Sequence, residues 1–172
     1  MTSAPSPEGR RILVAEVTGE PGRRIQAWRE QHDPEQARRL PPHSTLCYWA
    51  PDVPAEQMER QVRHAFQAPI EVCLGSMKLA DNDQGTLFVE VLTTEDLDAA
   101  LTRLYDAKHL RMPEMNHWRW HVTCVRETRG RDLDALWRAA AELQLNRPWR
   151  VDRVSYLQLA GDRYEEIAAW DV

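Results

Sequence analysis

No stretch of this 172-residue chain approaches the roughly 20 consecutive apolar residues of a membrane-spanning helix, so no membrane association is expected. The opening MTSAPSPEGRR has no apolar run, so no secretory signal is expected there. Cysteine is scarce. Cys47, Cys73 and Cys124 are scattered through apolar segments with no Cys-x-x-Cys, which reads as free thiols in a reducing cytoplasm. Basic surface is also lacking: 22 Lys and Arg face 27 Asp and Glu, a net charge of −5. That argues against broad binding of duplex nucleic acid, but not against one small phosphate-bearing substrate held by a few arginines. No linker rich in Gly, Pro or Ser divides the chain. One domain over residues 1–172 is expected, two lobes packed closely together, with residues 1–9 flexible. The chain is 42% hydrophobic and 28% charged, as a folded globular protein requires.

The hydrophobic pattern is mixed. RILVAEV (11–17) reads as a strand, followed by a helix with Ile25 and Trp28 on one side and a break near Pro34. Met58, Val62 and Phe66 make one helical stripe. PIEVCLGSMKLA and GTLFVEVL bracket the turn-like DNDQG and read as paired strands. Leu97, Ala100, Leu101 and Leu104 mark the clearest helix, for which Thr93 and Asp96 suit a capping box. Leu133, Leu136, Trp137 and Ala140 mark another. RVDRVSYLQLAG and YEEIAAW read as two closing strands joined at Gly161–Asp162. Many strands are hairpin-linked, which predicts an α+β fold with antiparallel sheet.

The segment LPPHSTLCYW (40–49) holds two polar side chains, His43 and Thr45, inside an apolar strand pattern. Alternate residues of a strand point the same way, so both stand on one face. The pattern recurs in WHVTCVR, which places His121 and Thr123 at the same spacing. One His-x-Thr is common by chance, and either histidine alone reads as an ordinary hydrogen-bonded strand residue. Two, one in each half and each in a strand that follows a loop, point to shared chemistry. Histidine titrates near pH ~6.5, so one imidazole can take a proton while another gives one. Threonine hydroxyls can donate to phosphate oxygens where charge builds up. The pair suits reaction at a phosphodiester with no metal. Which histidine is the acid and which the base stays open at this level.

On these residues the chain resembles the 2H phosphoesterase family, which includes bacterial 2'-5' RNA ligase and RNA 2',3'-cyclic phosphodiesterase proteins. The shared motif is His-x-Thr-hydrophobic, as HSTL and HVTC. Chain length, element order and the closing hairpin extend the likeness over most of the sequence. The resemblance implies two pseudo-symmetric lobes of antiparallel sheet with helices outside. Both histidines would lie in the central cleft as catalytic groups, with Thr45 and Thr123 binding substrate. It implies metal-free hydrolysis of a 2',3'-cyclic phosphate on an RNA end or nucleotide to a 2'-phosphate, with reversible 2'-5' ligation as a further activity. It also carries over Arg126, which matches the pattern His-x-Thr-x-x-Arg. Strict alternation points Arg126 away from His121, so the match needs a bulge or the strand's end.

Two further residues are candidates for substrate contact. Arg119 has the parity of His121 and can reach a phosphate. Trp49 has the parity of His43 and is a stacking candidate; Trp28, Trp118, Trp120, Trp137 and Trp170 read as core. Arg38 and Arg39 form a basic patch before the first motif. His117 and His121 have a ligand-like spacing, but no Cys or carboxylate cluster accompanies them, so no metal or cofactor is expected. His32, His64 and His109 read as surface residues. A cytoplasmic monomer acting on a 2',3'-cyclic phosphate is the leading expectation. The alternatives are another cyclic phosphate, such as that of ADP-ribose, and a non-catalytic nucleotide- or RNA-binding module of the same fold.

Overall fold

The computed structural model describes residues 9–48, 53–106 and 120–172. The first strand, β1 (Arg11–Glu16), leads into α1 (Gly19–His32) and α2 (Pro34–Arg39). The two helices part at Asp33, whose carboxylate caps α2 by accepting from the Gln36 N–H at 3.3 Å. Pro34 stands at the start of α2, where a missing N–H does no harm. Next come β2 (His43–Tyr48), α3 (Ala55–Ala65), β3 (Ile70–Leu79), β4 (Leu87–Leu92) and α4 (Glu95–Tyr105). The cap of α4 is Thr94, which accepts from Leu97 N–H at 3.3 Å, and not the expected Thr93. The chain closes with β5 (His121–Val125), α5 (Leu133–Ala141), β6 (Pro148–Val151), β7 (Arg153–Ala160) and β8 (Arg163–Asp171).

The eight strands among the described residues form one antiparallel sheet in the order β6-β3-β4-β5-β2-β1-β7-β8. The fold is α+β, and the order divides into matching halves, β5-β4-β3-β6 and β2-β1-β7-β8, meeting at β5 and β2. The segment 150–161 corrects the sequence reading. It is two strands, because Asp152 breaks the run and the chain changes sheet neighbours there. β6 pairs with β3 at one end of the order, and β7 pairs with β1 near the other. One residue spans that gap only if the sheet curls round on itself.

Helices α1, α3, α4 and α5 all contribute to one large core on a single face of the sheet. Ile25, Trp28, Met58, Val62, Leu97, Leu101, Leu104 and Leu136 pack there against Leu13, Ala15, Leu46 and Val122. Trp120 and Trp170 join this core, as expected, and Trp137 packs against it half-buried. The opposite face holds a smaller cluster of Ile12, Val14, Leu40 and Leu157. Among the described residues no helix is long and apolar enough to cross a membrane. None of the three cysteines is in a disulfide.

Candidate functional site

The two motif strands, β2 and β5, are neighbours at the middle of the sheet, with Ser44 opposite Val122. Both of those side chains are buried. In an antiparallel pair this register sets His43 across from Thr123 and Thr45 across from His121. The four side chains share the other face and are all half-buried. The two histidines lie diagonally, a relation that places residues roughly 7–8 Å apart and their Cβ atoms somewhat closer. A phosphate group fits between imidazoles at that separation. Phe88, on β4 opposite Thr123, backs the block, and its ring meets that of His121 edge-on at 5.3 Å.

Each motif is followed by a bulge at the same place. Val14 pairs with Thr45 and Leu13 with Cys47, so Leu46 is the extra residue in β2. Phe88 pairs with Thr123 and Leu87 with Val125, so Cys124 is the extra residue in β5. Both extra residues are buried in the large core. A bulge shifts the alternation by one. Position 126 therefore returns to the face of His121, at the end of β5, which is the condition the Arg126 match required. The Arg126 side chain is exposed. Its backbone is pinned on both sides: its N–H donates to Asp33 Oδ2 at 2.8 Å and its carbonyl accepts from the Thr86 hydroxyl at 2.9 Å.

The loop into β2 has two prolines and so few N–H donors, and it is held through its carbonyls. Leu40 C=O accepts from Arg29 Nη2 at 2.8 Å, and Pro42 C=O from the Val17 N–H at 2.8 Å. Pro41 C=O accepts from His43 Nδ1 at 2.7 Å. A carbonyl can only accept, so Nδ1 carries the proton and the neutral ring keeps its lone pair on Nε2. Burial pushes the His43 imidazole down to about 4; the Pro41 hydrogen bond opposes this, while Arg29 and His121 add to it by charge repulsion. Burial pushes the Cys124 thiol the other way, up to about 12, which makes it inert as a nucleophile.

Three charged neighbours escaped the sequence reading. Glu16 lies opposite His43 on β1, and Glu90 opposite His121 on β4. Each carboxylate is answered by a cation one strand further out: Arg153 at 3.5 Å from Glu16, and Lys78 at 3.0 Å from Glu90. Ser155 also donates to Glu16. These pairings join residues far apart in sequence, and no local pattern announces them. Arg29 did leave a signal, since it falls at i+4 from Ile25 on the apolar stripe of α1, where a charge is out of place.

Arg119, Trp49, His117, His109 and Trp118 lie outside the described residues. Among the described residues no three His, Cys, Asp or Glu side chains gather as a metal-binding group. Arg38 and Arg39 line an open groove with Glu35, Asp162 and Arg163, and Arg39 lies 5.9 Å over the ring of Tyr164. His64 is exposed as expected. His32 is not a free surface residue; it is half-buried against Trp28, ring centroids 4.5 Å apart, because the end of α1 folds down on the core.

The two His-x-Thr elements thus lie on adjacent strands at the centre of a curled antiparallel sheet. The family model of the 2'-5' RNA ligase superfamily matches residues 18–163. The chain belongs to this family, one of the 2H phosphoesterases. No curated protein matches the sequence. Among solved structures, apo E. coli LigT is similar over 95% of this chain and 97% of its own, with TM-score 0.60 and 16% identity. The protein TT0787 of Thermus thermophilus is similar over 94% and 97%, with TM-score 0.56 and 14% identity. A structure described as a phosphoesterase is similar over 95% and 98%, with TM-score 0.59 and 15% identity. At these identities the likeness is one of fold.

Proposed function

We propose that the protein is a cytoplasmic, monomeric, metal-independent phosphodiesterase that opens a 2',3'-cyclic phosphate on an RNA end or nucleotide to a 2'-phosphate. The observation that carries the reading is the crossing of two His-x-Thr elements on adjacent strands, with Ser44 opposite Val122. His43 is the base: its neutral ring offers a lone pair at Nε2 while Nδ1 is engaged by Pro41. His121 is the acid. A water oxygen attacks phosphorus as its proton passes to His43 Nε2. The P–O3' bond breaks, and the departing 3'-oxygen takes a proton from His121. Thr45 and Thr123 donate to the non-bridging oxygens, where negative charge grows. The phosphate lies between two groups of opposite task, and its negative charge raises the basicity of His43 once bound.

Arg126 supports the phosphate from the end of β5, and Arg119 is a further substrate contact. The chain's acidity fits a small grip of ~1–3 phosphates with modest salt dependence. E. coli LigT has been crystallised with 3'-AMP, a nucleotide with its phosphate on the ribose, and the same ligand class is proposed here. The family's ligase activity is proposed as the same exchange with another nucleophile: an RNA 5'-hydroxyl attacks phosphorus in place of water, its proton passes to His43, the P–O3' bond breaks with a proton from His121, and a 2'-5' linkage forms reversibly. The test is incubation with cyclic-phosphate mononucleotides and short RNAs ending in one, with 2'- and 3'-phosphate products resolved. A 2'-phosphate is expected. A clean 3'-phosphate contradicts the assignment, and binding without turnover of any cyclic phosphate favours a non-catalytic nucleotide-binding module.

A further inference from the structure

We infer that Arg29 is a positioning residue for His43: it holds the backbone of the Leu40-Pro41-Pro42 loop so that the Pro41 carbonyl captures Nδ1 and leaves Nε2 to face the phosphate. The inference deepens the proposed reading and rests on His43 acting as its base.

The loop is unusual in how it must be held. Pro41 and Pro42 bring no N–H, so neither can join the sheet or a turn as a donor. Three successive carbonyls each have a different partner instead. Pro42 is tied to β1 through Val17, and Pro41 to the histidine itself. Leu40 is tied to Arg29, whose Nη2 also donates to Gln36 C=O at 2.6 Å. One guanidinium nitrogen thus clamps the last turn of α2 and the residue before Pro41. Without it, the Leu40 side of the loop keeps only the Leu40 N–H donating to the Gln36 C=O at 3.3 Å, the Leu40 carbonyl loses its partner, and the imidazole can rotate about χ2 or change tautomer.

The placement of Arg29 argues that it is kept for this clamp. The residue is 2% exposed, on the apolar stripe of α1. Nε and Nη1 find no acceptor among the described residues. A buried guanidinium only half answered by hydrogen bonds is destabilising, and an apolar residue of similar length is often better tolerated there. Asp33, which caps α2, gives the charge some compensation. What the arginine adds that methionine lacks is a donor that reaches two carbonyls four residues apart. Its charge also repels a proton from His43, in keeping with a ring held neutral.

The experiment compares the full chain with Arg29→Met and Arg29→Lys, using 15N imidazole NMR of His43 beside steady-state kinetics. In the parent protein His43 is expected as the Nδ1–H tautomer. Arg29→Met should give a mixed-tautomer signal, and kcat on a cyclic-phosphate nucleotide should fall ~10–10²-fold with KM changed less than ~3-fold. Arg29→Lys keeps a donor, and should retain the Nδ1–H signal and recover at least part of kcat. If Arg29→Met does not fold, the lysine variant carries the test. A folded Arg29→Met with an unchanged Nδ1–H signal overturns the inference, as does a lysine variant that loses the signal completely. The NMR reading does not need turnover. A parent protein inactive on every cyclic phosphate therefore removes the proposed activity without deciding the clamp.

Discussion

Ser44 lies directly opposite Val122, and that one pairing makes the two motifs a single site. Both residues point into the core, so their neighbours on either side point out together. A slip of one residue in the register would send one motif's side chains into the core. Leu46 and Cys124, the bulged residues, lie at matching positions in the two strands, so the pseudo-symmetry extends beyond the motif itself.

His43→Ala and His121→Ala should each cut turnover of a 2',3'-cyclic phosphate by at least ~10²-fold, with the fold kept, because each removes a proton-transfer group. Thr45→Ala and Thr123→Ala should lose less, ~10–10²-fold, since water can partly replace a hydroxyl donor. Arg126→Ala should lower kcat/KM by ~1–3 kcal/mol if its guanidinium holds the phosphate. Initial rates with circular dichroism as a folding check decide each case. Near-normal activity in either histidine variant rejects the acid–base assignment.

How much of this was open to sequence reading follows from the range of each interaction. The parity of His43 with Thr45 and of His121 with Thr123 is local, and a period of two reveals it. The bulges are not legible, because Leu46 and Cys124 are as apolar as any strand residue there. Asp152 is a single residue, too short to read as a break, although it sends the chain to the other end of the strand order. Glu16 and Glu90 reach the histidines only through cross-strand pairing. Arg29 was legible as a charge on an apolar stripe, and its loop of carbonyl contacts was not.

The pH dependence of the rate should be bell-shaped. kcat/KM reports the free enzyme, and burial holds the free His43 ring down to about 4. The acidic limb of kcat/KM should therefore lie near pH 4, well below the ordinary histidine value of ~6.5. Bound phosphate favours the imidazolium, so the acidic limb of kcat should lie higher. The alkaline limb marks loss of the proton the leaving oxygen needs. Activity should survive EDTA. A rate that only climbs with pH, or one lost to chelation and restored by zinc, contradicts two-imidazole catalysis.

The same shift makes a stability prediction. The folded-state value of His43 lies below its unfolded value, so in acid the unfolded chain takes up this proton first. The charged groups facing it are Arg29 from α1, His121 from β5 and Glu16 from β1. The contribution is fully present above pH ~6.5 and is lost as pH falls toward about 4. His43→Gln removes that term. Urea unfolding from pH 7 to pH 4 should show the parent losing stability more steeply than the variant; parallel slopes would mean the ring titrates normally.

Among the described glycines, the tightest approach of backbone lies at Gly22, in the first turn of α1. A Cβ built there would stand 1.8 Å from the Val17 carbonyl oxygen and 2.8 Å from its carbon. Those are backbone atoms and cannot rotate away. Val17 is also the residue whose N–H holds Pro42, one step from His43. Gly22→Ala must therefore push α1 off the end of β1, at about 3 kcal/mol or more, and disturb the loop that aims the imidazole. Gly130 provides the comparison. It has φ +71° but open space around its Cβ position, so alanine there should cost only ~1 kcal/mol and leave turnover unchanged. Denaturant melts and rates on both variants test the difference. A Gly22→Ala protein as stable as the Gly130→Ala protein would show that α1 does not press on Val17.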